Sequence, residues 1–133
     1  LEIQPDFSFG LDTTIAFDTP GAKPQEQCTR LGEGVAIKIM DSSVICDQRM
    51  VEFMKTVADE KKIEWQPEIL RAGGTDTASL QRMTPGGSIA GAVSLPTRHI
   101  HQVIEMCNKH DVAEAIKLLA ACLCGLDKYD WEF

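Results

Sequence analysis

Ile89-Ala90-Gly91-Ala92-Val93-Ser94-Leu95 is almost unbroken apolar sequence, and it runs directly into Pro96-Thr97-Arg98-His99-Ile100-His101. A strand that covers one face of a sheet alternates apolar and polar side chains. An uninterrupted run of small and branched apolar residues instead fits a strand covered on both faces, as in the parallel sheets of α/β proteins. The stretch therefore predicts a buried strand with helices on either side, ending where Pro96 and the polar residues after it begin.

The neighbouring segments fit that frame. Phe7-Ser8-Phe9-Gly10-Leu11 alternates apolar and small residues and predicts a short strand that stops at Asp12-Thr13-Thr14, which places Asp12 at its carboxyl end. Asp18-Thr19-Pro20-Gly21-Ala22-Lys23-Pro24 concentrates turn formers and predicts a loop that continues through Cys28. Val35-Ala36-Ile37-Lys38-Ile39-Met40, bounded by Gly34 and by Asp41-Ser42-Ser43, reads as a second strand. Asp47 can cap a helix from about Gln48 to Lys61, because Met50, Val51, Met54, Val57 and Ala58 recur at helical spacing. Glu64 to Leu70 predicts a strand that Pro67, lacking an N–H, pushes toward an edge or a bulge. Gly73-Gly74-Thr75-Asp76 leads into a short helix, Thr77 to Arg82, stopped by Pro85-Gly86-Gly87. A last helix from Asp111 to about Leu126 repeats Val112, Ala115, Ile116, Leu119, Ala120 and Leu123 as its apolar stripe. Strands alternating with helices imply an α/β layered domain.

With 133 residues, 44% hydrophobic and 25% charged, the chain suits one domain with one core. Lys+Arg 13 against Asp+Glu 20 gives a net charge of −7, so no surplus of cations exists to neutralise a nucleic-acid backbone. No window approaches the roughly 20 apolar residues of a membrane span. Five cysteines without a CxxC spacing argue against a disulfide framework and a structural zinc site, and fit a reducing cytoplasm. The chain opens on Leu1-Glu2-Ile3 without an initiator Met, which raises the expectation of a piece of a longer protein.

In open α/β sheets ligands collect outside the carboxyl ends of the strands, where Asp12 and His101 are expected. A carboxylate and an imidazole suit zinc, cobalt or manganese. The plain alternatives are an aspartate that caps a turn and a surface histidine. His99 and His101 point the same way if their segment is extended. Gly73-Gly74-Thr75-Asp76 before a helix can present backbone N–H groups to an anion, or form a tight turn capped by Asp76. Arg98 faces substrate or supports its loop. Cys122 and Cys124 read as core or near-surface residues, Met40, Met50, Met54 and Met83 as core fillers, and Lys61-Lys62 as a solvated helix end. Tyr129-Asp130-Trp131-Glu132-Phe133 is either a loose tail or a strip that docks on another subunit.

Taken together, Pro5-Asp6, Leu11-Asp12-Thr13, Asp18-Thr19-Pro20-Gly21, Ile39-Met40-Asp41, Gly73-Gly74-Thr75-Asp76, Leu95 to His101 with Glu105, and Asp111-Val112 resemble, in order, the C-terminal half of the tetrahedral aminopeptidases. These are cytosolic dinuclear metallopeptidases that include glutamyl aminopeptidases and relatives labelled endoglucanase. The resemblance implies a three-layer α-β-α fold with a mixed, mostly parallel sheet flanked by helices. Residues 1–133 would form the C-terminal part of the zinc-peptidase-like catalytic domain, without its N-terminal part and inserted dimerisation domain. It further implies that Asp12 binds one of two divalent ions, zinc or cobalt, and His101 the other. Gly74, Thr75, Asp76 and Arg98 would lie near the substrate cleft, short peptides would be the substrates, and the full-length protein would be a cytoplasmic dodecamer.

The family's remaining ligands are a histidine, a bridging aspartate and a glutamate that directly follows the glutamate acting as general base. No adjacent Glu-Glu occurs here. The chain is thus expected to hold two ligands and no catalytic base, to bind metal weakly and to be inactive alone. His99 stands where the family usually has Tyr, Thr77 where it has Ala, and Gln102 where it has Ser or Thr, which leaves substrate preference open. The competing reading is a stand-alone, non-enzymatic α/β module that binds a partner or an anion through the Gly73-Gly74 loop. Glycoside hydrolysis is discounted, because it needs two carboxyl groups in roles that cannot be assigned to Asp12 and Asp76.

Overall fold

A computed structural model describes residues 3–132. The elements run β1 (Phe7–Ile15), β2 (Val35–Met40), α1 (Gln48–Lys61), β3 (Trp65–Ile69), α2 (Thr77–Met83), β4 (Ile89–Arg98), β5 (Met106–Cys107) and α3 (Lys109–Leu123), with short 3-10 turns at Pro24–Glu26 and Leu126–Lys128. The sheet order is β1-β4-β2-β3, with β5 on the far end of β4. β1 runs parallel to β4 and β2 parallel to β3, while β2 and β4 meet antiparallel at Ala36↔Ser94 and Ile37↔Val93. The sheet is therefore mixed, and the apolar run from Ile89 occupies its interior as expected. Pro67 lies in β3, an edge strand, where a missing N–H is tolerated.

Successive residues of β4 face opposite layers. A Cβ built on Gly91 would lie 2.6 Å from Met50 Cγ and 2.7 Å from Met54 Cε, so only a glycine lets α1 settle this closely on the sheet. On the other face, a Cβ on Gly10 of β1 would meet Thr77 at the start of α2 and the Ala92 side chain. This puts helices on both faces. Asp47 caps α1 by accepting from the Arg49 N–H at 2.9 Å, and Met50, Val51, Phe53, Met54, Val57 and Ala58 form the buried face.

Several expectations are corrected. β1 continues through Ile15, because Asp12 to Ile15 pair with Ser94 to Thr97 of a β4 that itself runs through Pro96 to Arg98. Asp12 thus sits within the strand and not at its end. Pro96 lies beyond the residues of β4 that pair with β2, where a missing N–H on that side costs no ladder bond. α3 begins at Lys109 with Asn108 as cap, and Asp111 is buried in its first turn, accepting from Gly32 N–H at 2.8 Å and Gly34 N–H at 3.0 Å. Its core face is Ala115, Leu118 and Cys122, whereas Ile116 and Leu123 of the expected stripe are 65% and 56% exposed. Burial pushes the Cys122 thiol up to about 12. Met83 is exposed and fills no core.

The C-terminal aromatic strip packs on its own domain. Trp131 lies 4.5 Å from Phe7 and 4.9 Å from Phe53 between ring centroids, and donates its indole N–H to the Leu126 carbonyl at 2.8 Å. Tyr129 joins Phe53 at 4.9 Å. Phe133 lies outside the described residues.

Candidate functional site

Parallel pairing of β1 with β4 brings the polar ends of both strands to the same edge of the sheet. There a cleft of about 270 Å³ opens, lined by Asp12, Thr13, Thr14 and Ile15 of β1, Lys38 of β2, the Leu70 to Thr75 connection and the Ile100-His101 turn. Asp12 and His101, 89 positions apart in sequence, thus line one cleft together with Gly74 and Thr75.

Asp12 is exposed, and among the described residues its Oδ1 accepts only from the neighbouring Thr13 N–H at 2.7 Å, which leaves lone pairs free for a ligand. His101 is not in an extended segment. His99 and His101 adopt φ of +60° and +65°, and Gln102 N–H closes the turn onto the His99 carbonyl at 3.0 Å. The two histidines therefore do not alternate as strand residues do. The left-handed region costs a non-glycine residue of order 1 kcal/mol. The Glu105 carboxylate, accepting from the His101 N–H at 2.7 Å, helps hold it there.

Two expected cleft residues, Arg98 and Asp76, are not among those lining this cleft. Arg98 donates Nε to Asp18 Oδ1 at 2.6 Å, and Asp18 Oδ2 accepts from Leu31 N–H at 2.9 Å. Arg98 thus clamps the end of β4 to the loop after β1 and supports that loop. Asp76 is exposed and makes no side-chain cap to α2; its backbone carbonyl alone accepts from Ser79 and Leu80. The turn before α2 is held instead by Thr75, whose hydroxyl donates to Asp41 Oδ2 at 3.2 Å.

A feature that sequence reading missed reaches the cleft at Lys38. Lys38 Nζ pairs with Glu68 Oε1 at 2.5 Å and with Asp41 Oδ2 at 3.4 Å, all three side chains being at most 1% exposed. Burial pulls the Lys38 ammonium's pKa down, but Glu68 and Asp41 outweigh it and leave it above its ordinary value. Burial likewise raises Asp41, yet Ser43 and Lys38 hold its carboxyl below the usual range. The available signal was a single lysine inside Val35-Ala36-Ile37-Lys38-Ile39-Met40, since a charge in a buried strand requires a partner.

Asp12 and His101 supply the donor types that a divalent transition ion takes, an acidic oxygen and an imidazole nitrogen. Their number does not complete a site: among the described residues no group of three or more His, Cys, Asp and Glu side chains could hold a metal. No helix among those residues is long and apolar enough to cross a membrane.

Comparison with known proteins covers most of the chain. The profile of the M42 glutamyl aminopeptidase family matches residues 1–118. An aminopeptidase from the archaeon Desulfurococcus kamchatkensis superposes with a TM-score of 0.85 at 35% identity, covering 87% of this chain and 33% of that one. The glutamyl aminopeptidase of Lactococcus lactis subsp. cremoris is 29% identical over 126 residues, 95% of this chain and 34% of its own length. The TET1 peptidase of Pyrococcus horikoshii, described as assembling into a tetrahedron or a large octahedral shell, gives a TM-score of 0.72 at 26% identity over 89% of this chain and 33% of that one. The chain spans about a third of the length of each relative.

Proposed function

Because the chain belongs to the M42 glutamyl aminopeptidase family, we propose that it forms the C-terminal part of the catalytic domain of a dinuclear-metal aminopeptidase acting on short peptides. The observation that carries this reading is the meeting of Asp12 and His101 in one cleft from positions 89 apart. Asp12 would hold one divalent ion, zinc or cobalt, and His101 the other, with the remaining ligands and the general base outside these 133 residues. Such ions, when bound, polarise a peptide carbonyl and lower the pKa of a bound water.

This chain's own residues supply the setting. β1 holds Asp12 at a register fixed by Ser94, the strained turn presents His101, and the Gly73-Gly74-Thr75 loop lines the same cleft. Without further donors two ligands bind metal weakly, so the 133-residue chain is expected to lack peptidase activity by itself. The full-length protein is proposed to be a cytoplasmic homo-oligomer, a reading supported by the shells described for the Pyrococcus relative.

The test is substitution in the full-length protein. Asp12→Ala and His101→Ala are each expected to lower turnover at least ~10-fold, as loss of groups around a metal typically does, with an unchanged circular dichroism spectrum. Parental turnover in either variant would remove the assignment.

A further inference from the structure

Lys38 interrupts an apolar strand, and a buried ammonium is retained at a desolvation cost that a methionine of similar volume would avoid. Its partners suggest what it is retained for. From this one ammonium two chains of contacts lead to two separate stretches of the cleft lining, the β1 wall and the glycine-loop wall. Toward β1, Nζ pairs with Glu68 Oε1 at 2.5 Å, and the same oxygen accepts from the Thr14 hydroxyl at 2.7 Å. Thr14 lies two residues beyond Asp12 and therefore on the same face of the strand. Toward the glycine loop, Nζ pairs with Asp41 Oδ2 at 3.4 Å, which accepts from the Thr75 hydroxyl at 3.2 Å.

Asp41 cannot swing to follow either wall. Its other oxygen accepts from the Ser43 N–H at 2.8 Å, the Ser43 hydroxyl at 2.7 Å and the Val44 N–H at 3.0 Å. Lys38 also lines the cleft. We propose that Lys38 is a positioning residue: its ammonium fixes the β1 wall that carries Asp12 relative to the Gly73-Gly74-Thr75 wall, and so sets the geometry in which Asp12 meets a divalent ion. The proposal rests on the two-metal reading of the cleft.

One ammonium faces two carboxylates here, and Glu68 Oε2 is buried without a partner. Removing Lys38 alone would leave both carboxylates uncompensated and confound position with stability. The informative variant is therefore K38M/E68Q, which removes one charge of each sign. A second, T14V/T75V, cuts the two hydroxyl ties and leaves every charge in place. Backbone hydrogen exchange, thermal unfolding and cobalt affinity by visible absorption are measured on the full-length protein.

The expected result is a lower unfolding temperature, since a buried carboxylate loses a partner in each double variant, but a single cooperative transition well above the assay temperature, with faster exchange in both residues 12–16 and residues 72–76, and cobalt bound ~10-fold or more weakly in each double variant. The single variants T14V and T75V are expected to loosen only their own wall. Parental exchange at either wall of K38M/E68Q, or parental cobalt affinity in either double variant, overturns the proposal. A parent protein that takes up no cobalt overturns the two-metal reading instead, and the exchange pattern then decides the Lys38 tie by itself.

Discussion

Arg98 and Asp18 illustrate how a conspicuous charged residue beside a cleft can serve the fold. The Arg98 hydrogen bond, against a smaller opposing effect of burial, holds the Asp18 carboxyl below its ordinary 3.8. A carboxyl whose folded pKa lies below its unfolded one binds more protons when unfolded, so its contribution to stability is complete above the unfolded value. It is lost as pH falls through the folded value. Arg98→Gln removes the main cause of the depression. The variant is expected to show a shallower fall of unfolding temperature below about pH 4, while in the full-length protein the peptidase turnover proposed above stays within about threefold at neutral pH because Arg98 does not line the cleft. A steep acid limb identical to the parent's would show that the ion pair contributes nothing to stability.

At the scale of elements, the contact of α1 with β4 tolerates little change. Gly91→Ala would place a methyl 2.6 Å from Met50 Cγ, and overpacking of this kind costs about 1–3 kcal/mol. Chemical denaturation should register that loss at constant m-value, and Met50→Ala in the same chain should recover part of it by opening space. An additive double variant would mean that the two groups do not touch.

Local chemistry made these elements legible: the Asp47 cap and the spacing of Met50, Met54 and Val57 suffice for α1, and the apolar run for β4. α3 was legible as a helix but not in its orientation. It carries apolar residues on two faces, and periodicity favours the broader one, Val112-Ile116-Leu119-Leu123, although the domain buries Ala115, Leu118 and Cys122. Within the candidate site, Asp12 and His101 were legible through an ordered set of motifs. The Lys38 network was not, because its members come from four separated segments that only the strand register brings together.

The outer face of α3 belongs to a question about the whole molecule. Leu11 of β1, 67% exposed, and Ile116 of α3, 65% exposed, border an apolar groove of about 420 Å³ with Leu95, Val112 and Leu119. β1 is also an edge of the sheet; the opposite edge, β3, is blunted by Pro67, whereas β1 contains no proline. An unblunted edge beside an apolar groove is a surface that invites pairing. In a protein three times as long, as the relatives are, further chain would cover it. In the 133-residue chain alone, a second copy is the available cover.

Sedimentation velocity over a micromolar concentration series is therefore expected to show concentration-dependent association of the isolated chain. Ile116→Glu should return it to a monomer without loss of helical circular dichroism, since that side chain projects from the domain and supports none of its core. The same substitution in the full-length protein should lower stability instead, because there it would bury an unpaired charge. A parental chain that stays monomeric throughout the series would show that this groove does not drive association.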